Sequence, residues 1–449
     1  MFIDVWQHSF EQHAAEDAII WHDLAYSFGW LGQQVEARQA WLHDQSIVAG
    51  MVVVLQADYS PQALALLLAL IARGCIVVPL TPVSANMRLF TIAQAEILIV
   101  VNAEDQVQMQ RLGKTAVHPL YTKLRKTRHP GLIIFSSGSS GESKAIVHDM
   151  LPMLEKYRQP GKRLRTIAFM LFDHIGGVNT MLYTLANGGC LVLLAERTPV
   201  QVARAIEIHQ VDLLPTSPTF LNLMLLSESY KKYDFATLKL ITYGTEPMPE
   251  STLKRLHILF PHISLRQTYG LSEVGILRAH SRSCDSLWVK VGGERFQTRV
   301  VDGILQIKAE SAMLGYLNAP SPFTADGWFI TGDRVQVEGD YMRILGRDSE
   351  MINVGGEKVY PIEVESVIQE MEEVEEVTVF GEHNPITGQI VCAQVRLRHS
   401  ESTDRRQFTA VLKRHCRQHL PSYKVPVKVF ISDEAQHSVR LKKKRKVLL

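Results

Sequence analysis

The chain has 449 residues, with 48 Lys and Arg against 46 Asp and Glu, so its formal net charge is +2. At roughly 100–200 residues per domain this is material for two or three domains. Its 46% hydrophobic and 21% charged residues exclude a disordered or fibrous chain, and the near-neutral balance argues against a protein built mainly to bind nucleic acid.

Five cysteines, Cys75, Cys190, Cys284, Cys392 and Cys416, are scattered and form no C-x-x-C pair. That is neither a disulfide framework nor a zinc knuckle, and it suits a reducing cytosol. The longest aliphatic stretch, 63–72, stops at Arg73 and is too short to span a bilayer. The N-terminus, MFIDVWQHSFEQH, carries acids early and no basic segment before an apolar core, so no secretory leader is expected. The expectation is a soluble cytoplasmic protein without membrane insertion or a nucleic-acid partner.

In chain order, β-branched runs at 47–55, 75–80, 97–101, 132–135, 166–171 and 190–194 predict strands, with helix periodicity at 61–73 and 199–209 between them. Buried, non-alternating strands that alternate with helices indicate α/β layers with largely parallel sheets. After about residue 290 the texture changes. Runs at 296–301, 304–308, 335–338 and 341–345 are split by Asp302-Gly303 and Gly339-Asp340, a pattern of β-hairpins. The polar stretch 346–350 precedes an acidic helix at 361–372, strands at 377–380 and 390–396, and a basic helix at 408–419. That reads as a separate α+β domain of roughly 100 residues, joined at 346–350.

Four segments carry chemistry. The strand 132–135 runs into Ser136-Ser137-Gly138-Ser139-Ser140-Gly141-Glu142-Ser143-Lys144. Glycines let N–H groups approach a ligand while hydroxyls and a Lys add donors, which is what a polyphosphate cradle needs. Gly-x4-Gly-Lys-[Ser/Thr] is not matched, so this is not a Walker loop. The competing reading is a flexible Ser/Gly linker, opposed by the strand that ends in it in mid-domain. In the second segment, Thr268-Tyr269-Gly270-Leu271-Ser272-Glu273, Tyr269 suits a base stack, Ser272 a phosphate, and Glu273 a Mg2+ ion that prefers oxygen. The third and fourth are Thr331-Gly332-Asp333 and Gly346-Arg347. An Asp in a tight turn can accept both hydroxyls of a ribose, and an Arg nearby can reach ribose or phosphate. Each segment alone has a plain structural reading, as a solvated Glu or a hairpin turn.

In this order the segments resemble the adenylate-forming (ANL) superfamily: acyl- and aryl-CoA ligases, adenylation domains and luciferases. The resemblance runs from Ile47 to Leu448, with Gly-Gly-Glu-Lys-Val at 355–359 and a late Lys completing six ordered matches. It implies a large N-terminal domain, 1–347, of layered α/β subdomains plus a β-barrel-like part, and a small mobile C-terminal α+β domain, 348–449, hinged near Ser349. Ser136, Ser137, Gly138, Ser139, Ser140, Gly141 and Lys144 resemble the loop that grips the ATP phosphates. Gly244-Thr245-Glu246-Pro247 resembles the turn lining the adenine and acyl pockets. Tyr269 resembles the adenine-stacking aromatic, with Gly270 beside it a further nucleotide-binding position, Ser272 the α-phosphate contact, Glu273 the Mg2+ ligand, and Asp333 with Arg347 the ribose-binding pair. His174, in Phe172-Asp173-His174-Ile175-Gly176-Gly177, falls where the family keeps a His at the mouth of the acyl pocket. Gly177, Thr216, Gly244 and Thr268 are the accompanying substrate-pocket positions.

Family members end with Val-Pro and, some residues later, Thr-x-x-Gly-Lys-x-x-Arg-x-x-Leu. Anchoring on Val425-Pro426 and on Arg445 and Leu448 puts the catalytic Lys at Lys442. Leu441 replaces the usual Gly, so an altered turn is expected, and Lys443 and Lys444 stay open as alternatives. Ser349 stands at the usual hinge Asp or Lys, and the phosphate loop has Ser143 where Pro is commoner.

The implied reaction has two halves. A carboxylate attacks the ATP α-phosphate to give acyl-AMP and pyrophosphate; the small domain then turns, Lys442 leaves, the strand 354–358 enters, and a thiol takes the acyl group. The thiol is that of CoA or the phosphopantetheine of an acyl carrier protein, whose acidic surface would suit the basic helix and the KKKRK run. The uncharged residues after His174 point to an aryl or a short-to-medium fatty acid. The alternatives are an amide synthetase, an amino-acid adenylation enzyme, and a catalytically silent nucleotide-binding relative.

Overall fold

The computed structural model describes residues 3–137, 143–293, 295–398, 404–438 and 441–444, with Ser137 as backbone only. Two seven-stranded sheets take their strands from the chain up to Gln267, with Gly315–Tyr316 added at one edge. In the first, Ser264–Gln267, Leu240–Tyr243, Leu213–Thr216, Arg165–Ile167, Cys190–Val192 and Asp17–Trp21 run parallel, and Leu24–Ser27 returns antiparallel at the edge. The second has a parallel centre, Gly131–Ser137, Ile76–Leu80, Val52–Gln56 and Ile97–Val101, with antiparallel strands on both flanks. The sheets are thus largely parallel, as expected, with antiparallel strands only at their edges.

One apolar cluster takes side chains from both sheets, Ile19 and Leu191 from the first and Val53 and Leu132 from the second. Helix Pro61–Ala72 lies in it. Ser60 Oγ caps that helix by accepting the Ala63 N–H, and all of its residues from Ala63 to Ile71 are buried. A helix apolar on every side has to be covered on every side; the helix Phe28–Asp44 packs along this one and strand Ile76–Leu80 of the second sheet lies against it. No helix among the described residues is long and apolar enough to cross a membrane.

A six-stranded antiparallel sheet, Ala279–Ser281 to Phe296–Val301, makes the barrel-like part. The C-terminal region builds a five-stranded sheet around the long pair Val374–Asn384 and Gly388–Leu397, with helices Pro361–Ile368 and Arg405–His419 and its own apolar cluster. A larger N-terminal and a smaller C-terminal domain follow.

Several boundaries move. The run 47–55 begins its strand only at Val52, because the chain turns at Gly50 with φ +78°. The run 166–171 is a strand only as far as Ile167. The acidic helix stops at Ile368, before the crowded carboxylates of 370–373. The stretch 354–358 is not one strand but a hairpin, Ile352–Val354 against Glu357–Val359, with Gly355 and Gly356 at its exposed tip at φ +62° and +96°.

Candidate active site

The parallel strands of the first sheet end together, and their C-terminal ends supply one wall of the site, as is usual for open α/β sheets. After Leu240–Tyr243 the backbone N–H of Gly244 donates to the Thr216 carbonyl at 3.3 Å. A Cβ at Gly244 would lie 2.5 Å from Thr268 Oγ1, so only glycine lets the two strand ends close. Thr245 next to it is held at φ +74°, a costly region for a β-branched residue and one that clusters at binding sites. Glu246 then spans two segments: Oε1 accepts the Thr219 N–H at 2.8 Å and Oε2 the Lys443 N–H at 3.2 Å. Thr268 is fixed on the Tyr243 carbonyl through both N–H and Oγ1. The Thr216 hydroxyl is buried with no hydrogen-bond partner among the described residues.

Asp333 does not sit in a turn. It lies inside the ten-residue strand Phe329–Glu338, directly opposite Arg347 on Tyr341–Arg347. Cross-strand neighbours are within side-chain reach, and Arg347 Nε meets Asp333 Oδ1 at 2.8 Å while Nη1 donates to the Thr331 carbonyl at 2.7 Å. The buried Tyr269 hydroxyl donates to Asp333 Oδ2 at 2.5 Å. Burial raises the Asp333 carboxyl above the usual range against the pull of Arg347 and Tyr269, and the Tyr269 phenol is raised by burial and by that carboxylate.

Glu273 closes the hairpin formed by Tyr269–Leu271 and Gly275–Leu277. Its Oε1 accepts the Tyr316 hydroxyl at 2.8 Å, and Lys144 Nζ stands 5.3 Å from the centroid of the same tyrosine ring. Tyr316 thus joins the carboxylate to the end of the Ser/Gly loop; only its place beside Gly315 marked it in the sequence. Ser136 and Ser137 end Gly131–Ser137, opposite Lys144 and Ser143. Gly138, Ser139, Ser140 and Gly141 lie outside the described residues. Among the described residues no three His, Cys, Asp or Glu side chains come together to hold a metal. A single Glu273 carboxylate fits Mg2+ as an ion that is largely held by nucleotide phosphates.

Below this hairpin His148 is fully buried, and its Nε2 donates to the Ser272 carbonyl at 2.6 Å. Burial pushes the imidazole down to about 4, so it is neutral in the folded protein while the unfolded chain takes its proton near 6.5. The contribution is therefore present above about pH 6.5 and is lost as pH falls towards 4, by about 3 kcal/mol at most. The stability of the wild type should fall more steeply than that of His148→Gln between pH 6.5 and 4. Parallel curves for the two proteins would refute this.

His174 caps the helix Ile175–Ala186, its Nδ1 accepting the Gly176 N–H at 3.0 Å. That bond leaves the ring proton of neutral His174 on Nε2. Lys442 Nζ stands 3.5 Å from this Nε2. A Cβ at Gly177 would lie 2.2 Å from the Leu171 carbonyl oxygen and 2.6 Å from the Tyr59 hydroxyl, so this glycine serves the close packing that seats His174 and does not itself line open space.

Lys442 comes from the C-terminal region on a tight hairpin. Ser438 N–H donates to the Lys442 carbonyl and Leu441 N–H to the Ser438 carbonyl, both at 2.8 Å. Leu441 adopts φ +51°, a left-handed backbone that leucine seldom takes and glycine takes freely. Its carbonyl accepts the Ser217 hydroxyl at 2.7 Å, and its side chain packs on the cluster beneath the first sheet. Neighbouring side chains on an extended segment point opposite ways. Lys443 accordingly faces away from His174 and pairs with the fully buried Glu365 at 2.9 Å.

A larger α/β domain and a smaller α+β domain, with Lys442 of the smaller beside His174 of the larger, make up an adenylate-forming architecture. The chain belongs to the AMP-binding enzyme family: the family model matches residues 6–302, and that of the AMP-binding enzyme C-terminal domain matches 363–442. It is 26% identical over 435 residues to an uncharacterized acyl-CoA ligase of Bacillus subtilis, covering 88% of this chain and 86% of that protein. It is likewise 26% identical over 333 residues to an indoleacetate-CoA ligase of Aromatoleum aromaticum, covering 68% of this chain and 64% of the relative, so less than two thirds of that relative's length is spanned. Among solved structures, an anthranilate CoA ligase in complex with anthranoyl-AMP superposes with TM-score 0.81 at 18% identity, covering 99% of this chain and 95% of the other. An amide bond synthetase from Marinactinospora thermotolerans superposes with TM-score 0.79 at 21% identity, covering 98% and 97%. These two likenesses concern the fold.

Proposed function

We propose that this protein is an AMP-forming acid–thiol ligase. It activates an aryl or short-to-medium acyl carboxylic acid as acyl-AMP, releasing pyrophosphate, and passes the acyl group to the thiol of CoA or of a phosphopantetheinyl carrier protein. The observation that carries this reading is the approach of Lys442 Nζ to His174 Nε2. An ammonium and a ring N–H directed at one spot suit the oxygens of a carboxylate meeting a phosphate, where two anions have to be brought together. The names of the relatives, acyl- and indoleacetate-CoA ligases, support the same activity.

On this reading Asp333 accepts the ribose hydroxyls while Arg347 and Tyr269 hold its carboxylate in place. Glu273, oriented by Tyr316, would hold Mg2+, which when bound neutralises phosphate charge. Ser136 to Lys144 receive the phosphates. Glu246 and Ser217, through the Lys443 N–H and the Leu441 carbonyl, hold the hairpin that carries Lys442. This arrangement suits the first half-reaction, since the Gly355-Gly356 tip stays exposed. For the second half the domain 348–449 turns about Ser349 and brings that tip to the acyl-AMP.

The test is pyrophosphate release with ATP and Mg2+ against free benzoates, cinnamates, fatty acids and amino acids, followed by CoA, a carrier protein and amines as acceptors. Release with an aryl or acyl acid and thioester formation are expected. ATP binding without release for any acid overturns the reading, and amide formation in place of thioester would convert it to an amide synthetase.

A further inference from the structure

The reaction outlined above needs Lys442 in one place, yet the segment that carries it has few ties to the protein. Residues 436–444 form a hairpin closed by its own backbone: the Ser438 N–H donates to the Lys442 carbonyl and the Lys444 N–H to the Gln436 carbonyl, both at 2.8 Å. Among the described residues no backbone–backbone hydrogen bond joins this hairpin to the rest of either domain. It hangs on side chains. Two of them, Ser217 and Glu246, belong to the large domain, and their bonds are lost when the small domain turns.

From the small domain the hold comes from Glu376. This residue lies on the strand Val374–Asn384, opposite Arg396 of Gly388–Leu397, and is 7% exposed. Its Oε1 accepts the ring N–H of His437 Nδ1 at 2.6 Å. Its Oε2 accepts the Gln436 N–H at 3.1 Å and Arg396 Nη1 at 3.3 Å. Burial raises the carboxyl, but the bonds from His437, the Gln436 N–H and Arg396 outweigh it and hold the group below its usual range. A charged acceptor that binds a backbone N–H and the ring of the next residue fixes two successive residues. Lys443 also meets a buried carboxylate of the small domain, Glu365, but only through the end of a flexible four-carbon stem, which constrains its backbone little.

We propose that Glu376 is a positioning residue for Lys442: by binding the Gln436 N–H and the His437 ring it sets the hairpin whose other strand presents the Lys442 ammonium to His174. The proposal rests on the reading of Lys442 as the lysine of the activation step. The bonds from Ser217 and Glu246 are broken and remade in every cycle. Those from Glu376 lie within the small domain and travel with the hairpin, so Lys442 returns to the same spot. Such precision matters, because a misplacement of about 1 Å at a reacting centre costs about 10²-fold in rate.

The experiment uses Glu376→Gln on the full chain, which keeps the volume and one acceptor oxygen but removes the charge. Pyrophosphate-forming activation should fall by about 10–100-fold, while thioester formation from preformed acyl-AMP and CoA changes little. In a Lys442→Ala background the same substitution should cost activation nothing further, since a lysine that is gone cannot be misplaced. His437→Lys, which keeps a cation on Glu376, should retain most of the activity, and His437→Leu should behave like Glu376→Gln. Amide hydrogen exchange supplies a measure that needs no turnover. In Glu376→Gln the Ser438, Leu441 and Lys444 amides should exchange faster, with the strands Val374–Asn384 and Gly388–Leu397 unchanged. Equal losses in the two half-reactions, losses additive with Lys442→Ala, or unaltered exchange in the hairpin overturns the proposal. If Glu376→Gln fails to fold, His437→Leu carries the same comparisons. Should no acid be turned over, the ligase reading falls, and the exchange data separately decide whether Glu376 holds the hairpin.

Discussion

Lys442→Ala is expected to lower pyrophosphate-forming activation of the acid by about 10²–10³-fold, the scale on which removal of one preorganised transition-state donor acts. Thioester formation from preformed acyl-AMP should be far less affected, because in the proposed mechanism the turn of the small domain would take Lys442 out of the site before the thiol arrives. The two half-reactions are measured separately, by pyrophosphate release and by CoA consumption with synthetic adenylate. Equal losses in both would remove Lys442 from the assignment. The control is Lys443→Ala. Its ammonium faces the fully buried Glu365, so its loss should destabilise the C-terminal domain by about 3 kcal/mol without a selective effect on activation. A selective loss at Lys443 instead would shift the register by one.

Asp333→Ala is the second large effect. The side chain holds the Tyr269 hydroxyl and Arg347 Nε on its two oxygens, so its removal leaves a buried phenol and a guanidinium without their acceptor. We expect kcat/KM for ATP to fall by about 10²-fold, chiefly through KM, with about 2 kcal/mol of destabilisation from the stranded donors. Asp333→Asn, which keeps one acceptor, should lose less. Titration with ATP by calorimetry alongside thermal unfolding separates the two contributions, and an unchanged ATP affinity in a folded Asp333→Ala protein would discard the ribose role.

The parallel core of the fold was legible because its signals are local. The strands at 75–80, 97–101 and 132–135 and the helix 61–73 were marked by composition and period within ten or so residues. The strand end at 166–171 was misread because apolar residues also continue into a buried loop, where Phe169 and Phe172 pack without sheet pairing. Asp333 was misread as a turn residue because Gly332 beside it looks like punctuation, whereas Gly332 at φ +73° is accommodated inside a strand. Leu441 was expected to alter the turn because leucine seldom takes a positive φ. It does so here where its side chain packs on apolar neighbours and its carbonyl is bonded to Ser217.

The candidate site divides in the same way. The order of the chemical segments, the family they belong to, and the identities of Glu273, Asp333 and Arg347 as the polar residues of those segments were all in the sequence by itself. Spacing along a chain is a local property and survives without the fold. Only the tertiary structure gives the lysines of the terminal run different surroundings: Lys442 meets His174 across 268 residues, and the buried Glu365 takes the side chain of Lys443. The anchoring of Glu273 by Tyr316, the burial of His148 under Ser272 and the hold of Glu376 on His437 were decided there too. Each depends on which surfaces meet when the sheets close over one core, and composition and periodicity do not record that.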